Sequence, residues 1–497
     1  MHGSQELTVW WGLLRAASLA NLLWLPVWER VLYSRAWGVR ATEAHAAAVV
    51  GLVSLALALW AVEAVCRRWG GAGRVLWTVL VGSGLLVPLN VVRRTVLPVH
   101  LGGGPWPWEL KVLGLVGAVA LVVWVAVRHL PAAERLLGGL LVACVPFVAV
   151  TLAQSLVLVW PGPGRPAEVQ STGPRTVVRR TVVLLFDELD YELAFERREP
   201  GLRLDEFDRL AARSLRGTRV RSTADRTLKA VPTMLTGRWV DEAVLDSRNR
   251  LWVRFHGEEE FQELARAQTL FRTASAAGAR LAVVGAWLPY CGLVPQGSPC
   301  WQVPLLNDGG AGWEGPRPRD HTAVLEALGR QAVHAARAAP VLSRWLQEDP
   351  DAWYRRLLEA SVQAVSDPTR DLAWVHLPIP HPPWVFDRAE QRVRYSAGGY
   401  GDNLALADRT LRALREAMER AGVWQDSVVV VTSDHWYRER KGDDRRVPLF
   451  VRFPDEVGWE YSEPADITLV HDLVRAVLEG EARSASELAR WLSPLGP

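Results

Sequence analysis

Residues 427–436 read SVVVVTSDHW, four consecutive valines between hydroxyl residues, ending on Asp434 and His435. The run is too short for a buried helix, and its β-branched residues suit a strand covered on both faces. Runs of the same kind recur as TVVLLF (181–186), RLAVVGAW (280–287), LAWVHL (372–377) and PLFVRF (448–453). Between them lie amphipathic stretches such as FQELARAQTLFRTASAAG (261–278) and NLALADRTLRALREAMERAG (403–422). Apolar strands alternating with helices predict a mostly parallel sheet covered by helices, an α/β domain over residues 177–497. In such sheets function gathers at the carboxyl ends of the strands.

Upstream the composition changes. The 497 residues are 49% hydrophobic and 22% charged with net charge +3, but residues 7–160 are mainly Leu, Val, Ala and Trp. A span needs about 20 apolar residues. Five blocks qualify, near 7–27, 44–66, 74–92, 110–128 and 136–160. We therefore expect a helical membrane domain over 1–160 and a Pro/Gly-rich linker over 161–176. The first block carries Arg15 and Asn21 and has no basic leader, unlike a cleavable signal. With the N-terminus inside, the loops hold five arginines on each side, so charge does not orient the spans. Near-neutral charge excludes nucleic-acid packaging. Four cysteines exclude a disulfide-stapled scaffold. Cys66 and Cys144 fall in apolar blocks as packing residues, while Cys291 and Cys300 in PYCGLVPQGSPCW are spaced to close as a disulfide. Such a bond would place the C-terminal domain outside the cytoplasm.

Two strand ends carry chemistry. The first, VVLLFDE, presents Asp187 and Glu188; the fourth presents Asp434 and His435. Taken singly, an acid at a strand end is most often a cap. Carboxylate and imidazole together suit zinc or a similar divalent ion with an open position. Between these strands RSTADRTLKAVPTMLTGRW (221–239) offers several hydroxyls before a Pro and a Gly. A Thr hydroxyl is a weak nucleophile unless a base or metal activates it.

These segments together resemble the alkaline phosphatase superfamily, in its sulfatase-like branch, over roughly residues 180–480. Members with several spans before this domain include the phosphoethanolamine transferases and lipoteichoic acid synthases. The resemblance matches Asp187 to the early acidic ligand and TLKAVPTMLTG to the nucleophile segment, with Thr227 five residues before Pro232. It matches Asp434 and His435 to the late S-D-H strand end. It implies one zinc held by Asp187, Thr227, Asp434 and His435, with Thr227 attacking phosphorus. In LAWVHLPIPHPPWVFD it implies a substrate or second-metal role for His381, then His376, with Glu188 nearby. Asn403 and Asp408 in YGDNLALADRTLRAL are read as structural, and His471 as a packed helix residue.

The departures bear on chemistry. No Cys or Ser precedes x-P-x-R, which speaks against a formylglycine-dependent sulfatase. SDHWYRERKGDDRRVP lacks the transferases' further His, Trp436 stands where Gly is usual, and Thr233 replaces a cysteine. A second metal is thereby put in question. Arg438, Arg440, Lys441, Arg445 and Arg446 either bind phosphate in its place or form a solvated loop. The expectation is a multi-pass inner-membrane enzyme acting at the outer face on phosphate-ester head groups of lipid or envelope glycan. A hydrolase of other sulfuric or phosphoric esters without formylglycine, and an inactive binding module, are the alternatives.

Overall fold

The computed structural model describes residues 2–32, 41–86, 88–89, 108–159, 177, 179–246, 250–303, 306, 323–337, 349–395 and 398–492. The expected linker, 161–176, lies outside them. The chain divides into two compact units, residues 1–162 with 320–347 and residues 163–319 with 348–497.

The first unit is helical: α1 (His2–Leu23), α2 (Leu25–Leu32), α3 (Ala41–Arg68), α4 (Gly70–Gly84), α5 (Trp108–Arg128), α6 (Leu130–Ala143) and α7 (Val145–Val159). Its core gathers Ala16, Leu19, Trp28, Ala48 and Leu52. Leu328 and Ala335, on the helix Ala323–Arg337, also pack on this core, although that helix was read with the C-terminal domain. The five expected spans are not all recovered. Among the described residues two stretches are long and apolar enough to cross a bilayer, His45–Arg68 with mean hydropathy 2.2 and Leu130–Leu156 with 2.4. The first block breaks at Trp24, ahead of Pro26, which has no N–H to give to the carbonyl of Leu22 four residues back. The third yields α4, only 15 residues long.

The second unit is built on an eight-stranded sheet, β1 (Arg180–Asp187), β2 (Leu215–Gly217), β3 (Leu281–Gly285), β4 (Cys300–Gln302), β5 (Leu372–Pro380), β6 (Ser427–Ser433), β7 (Leu449–Arg452) and β8 (Trp459–Tyr461). The order is β8-β2-β7-β6-β1-β5-β3-β4. The five from β6 to β4 are parallel, while β7 runs antiparallel to both β6 and β2. All five strand runs in the sequence form strands. Their residues alternate between two cores: Val183, Leu185, Val428 and Val430 face one, and Val182, Leu184, Val429 and Val431 the other. This is why the runs show no polar alternation. The stretch 261–278 is less helical than its pattern. Gln262–Glu263 joins a small three-stranded sheet with Val240–Leu245 and Leu251–Phe255, and helix starts only at Leu270, after the Thr269 cap.

β1 and β6 are neighbours in parallel register, with Phe186 opposite Ser433. Asp187 and Asp434 therefore emerge side by side at the centre of the sheet's carboxyl edge.

Candidate metal and nucleophile site

At that edge the pairing of β1 with β5 shifts after Phe186, and Glu188 takes φ +64°. Asp187 stays paired, opposite Pro380, past this shift in register. Its backbone carbonyl accepts the His381 N–H at 3.1 Å, while neither side-chain oxygen has a hydrogen-bond partner. Asp434 Oδ1 accepts the backbone N–H of His435 at 2.8 Å and of Glu188 at 3.2 Å, leaving Oδ2 without a partner. His435 donates Nδ1–H to the Trp436 carbonyl at 3.0 Å, which turns the Nε2 lone pair inward. Nε2 lies 3.5 Å from Asp434 Oδ2 and 3.7 Å from Asp187 Oδ1. One ligand atom from each of these three residues falls within 4.8 Å of the others. Asp187 and Asp434 are fully buried and His435 almost so.

Buried carboxylate oxygens without donors are costly unless a cation meets them. Burial, then the Asp434 and Glu188 charges, push the Asp187 carboxyl well above its ordinary range. Burial also works against Asp434, yet the His435 and His376 imidazoles hold that carboxyl below it. Two oxygen donors and one nitrogen converging in a dry pocket fit a divalent ion of the zinc type.

Helix α8 (Thr227–Thr236) enters the same place, with Thr227 as its first residue. Arg226, extended at φ −138°, precedes it, and Gly237 at φ +68° ends it. His471 packs where a Cβ on Gly237 would sit, 3.0 Å from its Nδ1, as a packed helix residue should. Thr227 Oγ1 lies 3.5 Å from His435 Nε2 and is largely buried. Of the other hydroxyls of the segment, Ser222 donates to the Asp434 carbonyl, Thr233 to Lys229 and Thr236 to Pro232, while Thr223 Oγ1 is buried without a hydrogen-bond partner among the described residues.

A second cluster stands beside the first. Arg438 Nε donates to Glu188 Oε1 at 2.6 Å, and Arg438 Nη2 donates to His381 Nε2 at 3.0 Å. His381 Nε2 is 3.9 Å from Glu188 Oε1, and its Nδ1–H is given to the Pro382 carbonyl at 2.5 Å. Burial, with Arg438 beside it, lowers the His381 pKa and keeps the ring neutral. The guanidinium thus occupies the space between the two groups expected to hold a second metal. Among the other loop cations, Arg440 is tied to Asp190 and Glu192, Arg446 to Glu196 and Asp444, and Arg445 lies over the Trp436 ring. The solvated-loop reading therefore fails for Arg440 and Arg446, while Arg438, Lys441 and Arg445 stand exposed, and Arg438 is the functional candidate among them.

His376 is not part of either cluster. It is fully buried on β5 with Nδ1 at 2.9 Å from the Tyr290 hydroxyl. Burial lowers its pKa to about 4. Asn403 on α9 (Tyr400–Arg420) donates to the carbonyls of Pro380, His381 and Pro383 and accepts from Val385, fixing the loop that carries His381. Asp408 accepts two backbone N–H groups, from Glu206 and Phe207. Tyr400 opens the YGDNLALADRTLRAL segment, whose family counterpart has a Tyr that helps order the site; here its hydroxyl donates to the Glu188 carbonyl and accepts the Asp190 N–H. Its ring stacks on that of Tyr437 in the Arg438-bearing loop, with centroids 4.3 Å apart, a placement set by tertiary packing. Cys291 and Cys300 are joined by a disulfide.

A search of curated protein sequences gave no match. Similar solved structures include Ps i-CgsB, 13% identical with TM-score 0.44, covering 63% of this chain and 74% of that one. The phosphonate monoester hydrolase of Agrobacterium radiobacter is 13% identical with TM-score 0.39, covering 61% and 77%. The lipoteichoic acid synthase from Listeria monocytogenes is 11% identical with TM-score 0.39, covering 63% and 76%. A family model described as Sulfatase matches residues 182–479. That match takes in both strand ends, helix α8 and the Arg438 loop, more than half of the sequence, and the chain belongs to the sulfatase family.

Proposed function

We propose that this is a membrane-anchored, metal-dependent enzyme that cleaves or transfers phosphate-ester head groups through Thr227. The observation that carries the reading is the Thr227 hydroxyl at a helix start, 3.5 Å from His435 Nε2 and beside carboxylate oxygens that lack any donor. A divalent ion held by Asp187, Asp434 and His435 supplies a Lewis acid that lowers the pKa of an adjacent hydroxyl by several units. Thr227 Oγ attacks phosphorus, the bond to the leaving oxygen breaks, and the hydroxyl proton passes to the departing alcohol through solvent. The first turn of α8 favours the negative phosphoryl group. Arg438 offers that group a charged donor, taking the part expected of a second cation. Water or an acceptor alcohol then takes the phosphoryl group from Thr227.

Membrane anchoring rests on apolar surface left uncovered. Only 33% of the most apolar window of His45–Arg68 and 6% of that of Leu130–Leu156 is buried. Side chains such as Leu113, Leu136 and Phe147 are more than half exposed, which water does not tolerate over such an area. A multi-pass arrangement with the enzyme domain outside the cytoplasm suits the Cys291–Cys300 disulfide, since such bonds persist in oxidising compartments. Lipid or envelope glycan is reached there.

The test is the Thr227→Ala protein, assayed on a chromogenic phosphodiester and phosphomonoester with metal content measured in parallel. Turnover should vanish while metal stays bound, and a slow substrate should leave phosphate on Thr227 of the native enzyme. Wild-type turnover in the variant, or a label on another hydroxyl, refutes the nucleophile.

A further inference from the structure

The helical unit contains a cavity of about 1010 Å³, well apart in sequence from every residue of the metal site. Its wall mixes two chemistries. Trp11, Trp77, Val81, Leu137 and Leu141 make an apolar side. Four guanidiniums, from Arg15, Arg67, Arg74 and Arg135, and two carboxylates, from Glu63 and Glu134, line the rest, leaving two positive charges in excess.

These charges are arranged rather than scattered. Glu63 is 3% exposed, and its Oε1 holds both Arg67 Nη2 at 2.6 Å and Arg15 Nη2 at 3.3 Å. Arg74 donates Nε–H to Glu134 Oε1 at 2.8 Å and pairs with its second oxygen. Arg135 donates Nε–H to the Pro131 carbonyl and makes no ion pair among the described residues, so its charge is available. Glu63 Oε2 is buried and has no hydrogen-bond partner. A buried acid braced by two arginines, with one oxygen left open, is expensive in an apolar helical unit and marks a site by default.

We propose that this cavity binds an amphiphile whose head is an anionic phosphate diester carrying hydroxyl donors, such as phosphatidylglycerol. The phosphate meets the excess guanidinium charge, the head-group hydroxyl donates to Glu63 Oε2, and the acyl chains run along the Trp77 and Leu141 side. Basic pockets between membrane helices recognise anionic lipid heads on this principle. The charged mouth lies at the turns joining α3 to α4 and α5 to α6. No residue of the metal site lines the cavity, so it is distinct from the substrate position at Thr227. This inference rests on the membrane reading given above.

The experiment uses the full-length protein in a neutral detergent, titrated with phosphatidylglycerol, phosphatidylcholine or inorganic phosphate, with binding read by native mass spectrometry. One phosphatidylglycerol per chain should bind, about 10-fold more tightly than phosphatidylcholine, which has the same phosphate but neither net charge nor a donor. Arg135→Gln should weaken it about 5-fold. Gly139→Leu should abolish it by filling the cavity, because Gly139 lines the space and a Cβ there meets nothing within 4 Å. Both variants should hydrolyse a small soluble ester as the wild type does. Equal affinity for the two lipids, or unchanged binding in both variants, overturns the site. Displacement of the lipid by equimolar inorganic phosphate also overturns it, in favour of a free-anion site. Release of the chain from membranes by salt alone would instead refute the membrane reading.

Discussion

Removing the Arg438 side chain tests whether a guanidinium stands in for a second cation. Glu188 is 2% exposed, and in Arg438→Ala its Oε1 loses the 2.6 Å charged bond that holds it. Arg438 is itself 43% exposed, so losing this half-buried charged bond costs about 1.5–3 kcal/mol. The melting temperature of the full-length protein in detergent should fall by about 3–12 °C, at about 2–4 °C per kcal/mol for a domain of this size. Because the carboxylate is the source of the cost, Glu188→Gln in the same chain should recover most of the fall. Zinc or manganese should also recover part of it, since Glu188 Oε1 and His381 Nε2 are only 3.9 Å apart and both are released by the change. Metal analysis should accordingly rise from one ion per chain toward two at millimolar metal. Losing a charged hydrogen bond to the transferring anion, about 1.5–3 kcal/mol, should lower kcat/KM by about 10- to 100-fold, with Arg438→Lys between. If the wild type already binds two ions tightly, or if Arg438→Ala and the double variant melt as the wild type does, the reasoning fails.

Asp434→Ala should lower metal affinity by at least about 10-fold, since even indirect support of a ligand is worth that much; equilibrium dialysis with zinc checks it, and full occupancy would remove Asp434 from the ligand set. Asn403→Ala should lower kcat with metal content unchanged, because it frees the loop holding His381 while leaving Asp187, Asp434 and His435 untouched; loss of the metal instead would show a different role. His376 should stay neutral at pH 7, its imidazole resonances shifting only near pH 4. Its folded pKa lies below the unfolded value, so the unfolded chain takes the proton first. Stability should therefore drain away as pH falls from about 6.5 toward 4, by up to about 3 kcal/mol from this group. A titration near pH 6.5 in the folded protein would contradict its burial.

The parts of the site visible in the sequence are those where one residue's neighbours fix its place. Asp187 and Asp434 follow apolar runs that had to be strands, and a strand tip at the carboxyl edge of a parallel sheet has few places to go. Thr227 was marked by its spacing to Pro232, which lies inside the helix it begins, and to Gly237, which ends that helix. Arg438 could not be separated from Arg440 or Arg446, because an exposed-looking loop gives no period and each guanidinium found its acid on a distant segment, Glu188, Asp190 or Glu196. The same limit applied to His376 and His381. Five residues apart and both near a strand end, they differ only in that β5 continues to Pro380, which keeps His376 inside the sheet and delivers His381 to its edge. In the helical unit the apolar blocks were plain, but Pro26 and Gly84 cut them at points that hydropathy averages across. Ion pairs such as Arg15–Glu63 and Arg74–Glu134 join helices far apart in the chain, so the charge seen between and inside those blocks carried no sign that it shared one cavity. In both units the hydrophobic pattern locates the backbone, and the charged residues it leaves unexplained are the ones with chemistry to do.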